Sequence, residues 1–570
     1  MSVEAFAFDR GINLKKTNPL LLEEGEMVSC SGFILDNHGV LKCRSARNKV
    51  NTTALGSINS IHRYMNWVLA TDGSLHYKWD LDGYCDLYTP ENGDFTTVGT
   101  LSNSNRLSFA DYNEFVFMVN GQDKKAFTKG NFYEWGVNNP ISAPVGTEGV
   151  DGNPKGTYTL YYTYEIKFSN GRTYETGPSP AGSVTVSTDG KKIVWGGITR
   201  CPYAGNDLVI HRKLYRTSAT LGEIYYVDTI EGNNTTIYSD NLADSTLLAH
   251  SILSTENYST PSINAIDIET YLQRLFVIKG NSLYWSEPYI PFGFLTSSSV
   301  SVSTEGDDLI AVVQWGDQLY LASKTKWFRL QGSDPDTWAI KQTFVDNGII
   351  NRHTVKKTKY GILGLWYDGI YLFDGSISKN MTEKALGLSF FTDLDDLSVC
   401  WAEFDGKKYY FYYASTGSTV DKCLILDFSE YPNIKVYNED FIASAYELSF
   451  PTGIKYFAKS DGYQYEETGN ETIVTSLRAG DKAFENVLKQ KNALYLYYDV
   501  NTNSKDLTAT VYVDDVSKQT LTINTSSRER KRLQLGQYEG YRYSLGISCA
   551  DSQSLEVYAP WAIETTPVGV

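Results

Sequence analysis

The chain is expected to be all-β. Three observations carry that expectation: an aromatic-rich composition, tight-turn dipeptides between short alternating runs, and a near-constant spacing of those runs. Of 570 residues, 42 are Tyr, 25 Phe and 11 Trp, 14% of the chain; such side chains favour pleated, half-buried surfaces. Asp72-Gly73, Asp82-Gly83, Asn92-Gly93, Asn120-Gly121, Asn170-Gly171, Asp189-Gly190, Asp368-Gly369, Asp374-Gly375, Asp405-Gly406 and Asp461-Gly462 sit beside short apolar runs. Asn, Asp and Gly tolerate the positive φ of hairpin turns, so each pair predicts a hairpin. Helical periodicity is nearly absent; residues 482–491 are the best, short candidate.

The runs repeat. Trp67-Val68-Leu69-Ala70-Thr71-Asp72-Gly73 and Phe115-Val116-Phe117-Met118-Val119-Asn120-Gly121 share one shape. Further on, Phe276, Tyr320, Leu365, Tyr410 and Lys455 are equivalent points, spaced 44, 45, 45 and 45 residues apart. Four antiparallel strands with their turns need about that length, so the period predicts a β-propeller. A stack of unrelated β-sandwiches with accidental spacing is the alternative.

Taken in order, residues 1–56 read as an N-terminal arm and 57–139 as the first blades. Residues 140–260 interrupt the period. There Tyr158, Leu160, Tyr162, Tyr164, Ile166 and Phe168 alternate, and short strands with Pro/Gly punctuation follow, so the insert reads as a β-sandwich of fibronectin type III kind. Residues 261–470 hold the remaining blades, about seven recognisable units in all. Residues 471–570 alternate again and read as a closing β-sandwich.

Charge and motifs exclude more than they assign. Lys and Arg number 51 against 67 Asp and Glu, a net charge of −16, which disfavours tight binding to nucleic acid. The seven cysteines are scattered without ligand spacing, as expected of reduced, buried thiols made in a cytosol. No apolar run approaches the roughly 20 residues of a membrane helix, and the opening has no signal-peptide pattern. Phosphate-cradling loops, H-E-x-x-H and G-x-S-x-G are missing, and the six histidines show no pair at helical metal spacing; His62 and His76 could meet across a hairpin. Trp79-Asp80 lacks the repeats of a WD40 protein. Asp307-Asp308, Asp334 with Asp336, and Asp393 with Asp395 and Asp396 read as solvated loops, although a glycosidase pair stays open on residue type. Asp80-Leu81-Asp82-Gly83 with Asp86 lacks the full ligand series of a calcium loop. No catalytic residue, metal or cofactor is expected.

One basic cluster stands out: Arg528, Arg530, Lys531 and Arg532, broken by Glu529. If residues 526–535 form a strand, Arg528, Arg530 and Arg532 share one face, with Glu529 and Lys531 on the other. Such a row suits carboxylates of a neighbouring subunit or DNA phosphate, or else blunts a solvated edge strand. Lys324, Lys326 and Arg329 form a weaker group.

Several short motifs carry a resemblance. Arg10-Gly11-Ile12-Asn13, Leu20-Leu21-Leu22-Glu23-Glu24-Gly25-Glu26, Gly32-Phe33-Ile34-Leu35-Asp36 and Gly39-Val40-Leu41-Lys42-Cys43-Arg44 follow in series. Leu283-Tyr284-Trp285-Ser286-Glu287-Pro288, Asn347-Gly348-Ile349-Ile350 and the run from Leu365-Trp366-Tyr367 to Asp374-Gly375 mark the later blades. Tyr215-Arg216-Thr217, Tyr225 and Tyr238-Ser239-Asp240 mark the insert. Together they resemble the tail and neck β-propeller proteins of short-tailed bacteriophages, with Ser31 standing where Asn is usual. The resemblance implies a non-enzymatic virion component, located in the tail after assembly in the host cytoplasm. It implies a homo-oligomeric ring, usually a hexamer, beside the portal or adaptor and other tail proteins. That ring would retain packaged double-stranded DNA and let it pass without sequence recognition or membrane insertion. Acidic loops facing the channel would repel phosphate and let the duplex slide, while residues 528–532 would face a partner. A carbohydrate-binding or carbohydrate-cleaving propeller, or a host adhesion or scaffolding propeller, are the alternatives.

Overall fold

The computed structural model describes residues 1–568 apart from 37–39, 66, 80–93, 153–154, 204–207, 221, 255–257, 262–263, 388, 449–452, 454, 468–470 and 485–487. His38, Gly39, the acidic loop at Asp80 to Asp86 with Cys85, the Asn92-Gly93 turn and the side chain of Trp79 lie outside the described residues. The protein is all-β. Helix is confined, among the described residues, to single-turn pieces such as Asp244–Leu247 and Ser389–Thr392.

The helix expected at residues 482–491 is not formed by its described residues. Lys482 bridges to Tyr543, and Lys491 opens the strand Lys491–Asn501. Lys491 Nζ donates to the carbonyls of Ala483 and Phe484, so the charge ties off a loop rather than lying along a helix face. Pairing on both sides of an aromatic-rich segment outweighs weak helical propensity.

Four-stranded meanders recur along the chain. They begin at Ser60–Tyr64, Ser108–Tyr112, Asp267–Tyr271, Leu309–Trp315, Lys356–Thr358, Trp401–Phe404 and Ala445–Leu448. The equivalent points Phe276, Tyr320, Leu365, Tyr410 and Lys455 all fall on the second strand of their meander. The last meander supplies only three strands of its own. Its fourth is Asn48–Lys49, from the N-terminal segment, paired antiparallel with Gln464–Glu466.

Most predicted turns form as expected, with two corrections. Asp189-Gly190 joins strands that belong to different sheets, Gly182–Val186 and Ile193–Gly196, so it is no hairpin. At Asp368-Gly369 the glycine already belongs to the strand and pairs with Trp366, so Tyr367 and Asp368 make the turn.

The chain forms two compact units. Unit 2 comprises residues 73–75 and 97–342. In it the first strands of successive meanders lie side by side: Ser108–Tyr112 on Asp267–Tyr271, and Asp267–Tyr271 on Leu309–Trp315. The strand Gly156–Lys167 buries Tyr158, Leu160, Tyr162, Tyr164 and Ile166 as the alternation predicts. Its core is continuous with the neighbouring meanders: Phe168 stacks on Phe292 at 4.7 Å and meets Phe115 edge-on at 5.1 Å. The insert therefore shares apolar burial with its flanks instead of closing a core of its own.

Unit 1 comprises residues 1–72, 76–96 and 343–570. First strands are again adjacent, in sequence order from Lys356–Thr358 through Trp401–Phe404 to Ala445–Leu448, which lies beside Ser60–Tyr64 from the start of the chain. Its C-terminal part forms two sheets. One includes Leu507–Val513, Val516–Ile523 and Tyr543–Cys549; the other includes Ser2–Phe6, Trp561–Pro567, Lys491–Asn501 and Glu529–Gly540. Their inner faces bury Leu496, Val500, Ala509, Val511, Leu545 and Ile563 in one cluster.

Candidate functional site

The motif residues of the N-terminal series build a clasp inside unit 1. Gly11 has φ +80°, and a Cβ there would come within 2.7 Å of the Val436 carbonyl oxygen, so only glycine fits. Asn13 donates from Nδ2 to Glu26 at 2.8 Å and accepts the Lys15 and Lys16 amides at Oδ1. Burial works to raise the Glu26 carboxyl, but hydrogen bonds from Asn13, the Glu23 amide and Lys16 hold it below its ordinary value.

Arg44 and Arg47 complete the clasp. Arg44 is 5% exposed and reaches Asp440, Glu439 and Glu471 at 2.6, 3.0 and 2.9 Å. The Arg47 guanidinium lies against the rings of Phe441 and Phe457, 4.3 and 3.9 Å from their centroids, with Glu439 at 3.4 Å. Burial pushes the Glu439 carboxyl up against the pull of Arg47. Burial also works to raise Asp440, but the hydrogen bonds of Arg44 and Glu439 hold it below its ordinary range. Two buried cations thus carry the chain into Asn48–Lys49, the strand that finishes the last meander.

The motif residues of the insert form the corresponding feature in unit 2. Arg216 and Asp240 are both fully buried, with Nε to Oδ2 at 2.6 Å, and Arg216 also reaches Asp244 at 2.8 Å. Ser286, from the blade motif, is fully buried and accepts the Leu275 amide at 3.0 Å.

The basic cluster opens at Arg528 and continues on Glu529–Gly540, a strand paired on one side only, with Lys491–Asn501, among the described residues. Two guanidiniums converge on one carboxylate. Arg528 donates to both Asp499 oxygens at 2.8 Å, and Arg530 to Oδ2 at 2.9 and 2.7 Å. Asp499 is 3% exposed, and the Arg528 hydrogen bonds, reinforced by Arg530, hold its carboxyl below the usual range. The Arg528 guanidinium covers the Tyr558 ring at 3.7 Å, and that of Arg532 covers Tyr495 at 4.5 Å. Lys531 pairs with Glu529. The strand expected over residues 526–535 begins only at Glu529, so Arg528 precedes it. Within the strand the face division is as expected, with Arg530 and Arg532 opposite Asp499 and Tyr497, and Lys531 opposite Tyr498. Lys324 and Lys326 sit at a turn, with Arg329 on the following strand.

At least one carboxylate of each acidic cluster accepts hydrogen bonds from a turn, its own or a neighbouring one. Asp307 accepts Ser323 and Thr325 hydroxyls at 2.8 and 2.9 Å, Asp334 caps Thr337, Asp395 takes the Gly417 amide, and Asp396 caps Ser398. His62 and His76 do not meet; each faces a separate carboxylate, Glu447 at 3.3 Å and Asp72 at 2.8 Å. Among the described residues no group of three or more His, Cys, Asp or Glu could hold a metal ion. The six described cysteines are free, and burial pushes the Cys30 and Cys400 thiols up to about 12.

A row missed in the sequence crosses the first strands of unit 1. Lys356 meets Glu403 at 2.5 Å, and His62 meets Glu447. Glu403 is pushed up first by burial and, against Lys356, by the neighbouring Glu447 charge. Equivalent positions one period apart were the available signal: Glu403 and Glu447 are 44 residues apart.

No known protein family and no curated protein matches the chain. Among solved structures it is similar to the crystal structure of the computationally designed Ika8 protein, at 8% identity over 73% of this chain and 98% of that one, with a TM-score of 0.33. It is also similar to the AfRom2 CNH domain, at 10% identity over 67% and 99% of the two chains, with a TM-score of 0.24. Both scores are too low for a shared fold to be read from them.

Proposed function

We propose that the protein is a structural component of a bacteriophage tail, a β-propeller that assembles as a homo-oligomeric ring around the channel through which DNA passes. The observation that carries this is the N-terminal series. The residues by which it resembles tail and neck propeller proteins, Gly11, Asn13, Glu26 and Arg44, are those that clasp the segment and deliver Asn48–Lys49 to the last meander. A strand from the start of the chain that completes the last sheet is a means of closing a propeller. Side-by-side first strands within each unit support the same architecture. The insert, with its buried Arg216–Asp240 pair, is the fibronectin type III-like arm of that design.

Mass photometry of the purified protein, followed by negative-stain imaging, tests this reading. A discrete ring, six copies by the resemblance, is expected; a monomer at every accessible concentration would overturn it. A polysaccharide depolymerisation assay run beside it addresses the enzymatic alternative, and cleavage abolished by Glu403→Gln or Glu447→Gln would move the assignment to that carboxylate pair.

A further inference from the structure

One sheet of unit 1 has, among its edges, two of opposite charge. Four of its seven strands run Ser2–Phe6, Trp561–Pro567, Lys491–Asn501, Glu529–Gly540, and the first and last of these are paired on one side only among the described residues. Glu556–Tyr558, Val40–Cys43 and Phe33–Leu35 branch from Lys491–Asn501 to a further edge. An unpaired strand edge presents backbone donors and acceptors to any chain that can continue the sheet.

The two edges are chemically complementary. On Glu529–Gly540 the closing half is tied down at points: the Gly536 amide donates to Gln519, and Leu535 and Gly540 are buried, while Gln537 and Glu539 are exposed. The opening half is exposed, and it holds the basic residues. Two guanidiniums share Asp499, Lys531 and Glu529 offset each other, and Arg532 has no ion-pair partner among the described residues, which leaves this edge positive. On Ser2–Phe6, Val3 is 59% exposed, and the Glu4 side chain is half-buried with no hydrogen-bond or ion-pair partner among the described residues. Beside it opens a cleft of about 210 Å³ lined by five carboxylates, Glu4, Glu23, Glu24, Glu26 and Asp481, against one cation, Lys482, over Phe6 and Phe484. Glu23, Glu24 and Asp481 are paired with Arg10, Lys482 and Arg542, which leaves Glu4 as the free charge of the strand among the described residues. This edge is negative.

Register decides which residues would meet. Leu533, Leu496, Ile563 and Glu4 form one cross-strand row and so share a face. Lys531, two residues from Leu533, lies on that face with Glu4. On the opposite face, Arg530 and Arg532 would run over Val3 and Ala5.

We propose that this sheet is continued from copy to copy, the acidic edge Ser2–Phe6 of one molecule receiving the basic edge at residues 529–534 of the next, with Lys531 against Glu4. The contact joins two different surfaces, so it is heterologous, the kind that closes into rings. It rests on the ring reading above and names its interface.

Mass photometry of Glu4→Lys and Lys531→Glu, alone and mixed, tests it. Each reversal alone should weaken assembly about tenfold or more while circular dichroism stays that of the folded wild type. An equimolar mixture should reassemble, because in an alternating ring each reversed edge meets its reversed partner and each native edge a native one. A wild-type ring indifferent to both reversals, or folded variants that the mixture does not rescue, overturns this interface and leaves the ring standing. It would also assign the basic residues to blunting a solvated edge. A wild-type protein that never assembles overturns both.

Discussion

Arg44 grips Asp440 across 396 residues of chain, Nε donating to Oδ1 at 2.6 Å and Nη2 to Oδ2 at 3.1 Å. The pair joins the N-terminal segment to the end of the Lys435–Glu439 strand and lies beside buried Arg47 and Glu439.

Arg44→Ala strips three carboxylates of a buried partner, and breaking such a pair costs roughly 3–5 kcal/mol. Urea denaturation should show a loss of that size, smaller for Arg44→Lys, which keeps the charge but not the two-pronged geometry. An unchanged midpoint for Arg44→Ala would remove the clasp from the account of stability.

Gly462 turns a hairpin of the last meander with φ +82°, and a Cβ there would lie 2.0 Å from the Leu55 carbonyl oxygen. Gly406 has a similar φ of +87° with nothing within 4 Å. Gly462→Ala should therefore cost at least about 2 kcal/mol, against about 1 kcal/mol for Gly406→Ala. Equal losses in thermal melts would mean that backbone conformation alone matters at both turns.

The Asp267 carboxylate accepts the Val312 amide at 2.9 Å, and Glu269 accepts that of Gln314 at 3.0 Å, each across 45 residues. Asp267→Ala leaves an amide between two first strands without its acceptor and should cost about 1.5 kcal/mol. Hydrogen exchange should quicken at Val312 more than at Leu321, its ladder partner on the adjacent strand. Uniform quickening across the sheet would count against a local staple.

Asp499 has its carboxyl lowered by Arg528 and Arg530. Its contribution to stability is therefore present above the ordinary carboxyl value of 3.8 and lost as pH falls through the lower folded-state value. Asp499→Asn should cost about 2 kcal/mol at neutral pH, and the gap to wild type should narrow as pH falls through that range. A gap that stays constant from pH 7 to pH 2 would contradict the pairing.

Strand positions, most hairpin turns and the period were legible along the chain because alternation and positive-φ dipeptides are local signals. Leu507–Val513 and the buried face of Gly156–Lys167 were readable residue by residue. The lost helix at 482–491 shows the limit, since pairing of Lys491–Asn501 on both sides is invisible to a local window. The basic cluster could be seen in the sequence, but its anion could not: Asp499 lies 29 residues from Arg528 on the neighbouring strand.

By itself, then, the sequence determined an all-β chain, its repeating meanders and the face division at residues 529–532. Only the tertiary structure decided which distant segments complete a sheet or share a charge: Asn48–Lys49 on Gln464–Glu466, Arg44 on Asp440, Lys356 with Glu403. The physical reason is that alternation is a property of neighbours in sequence. Pairing depends on the burial and charge that neighbours in space supply, and no run of residues records them.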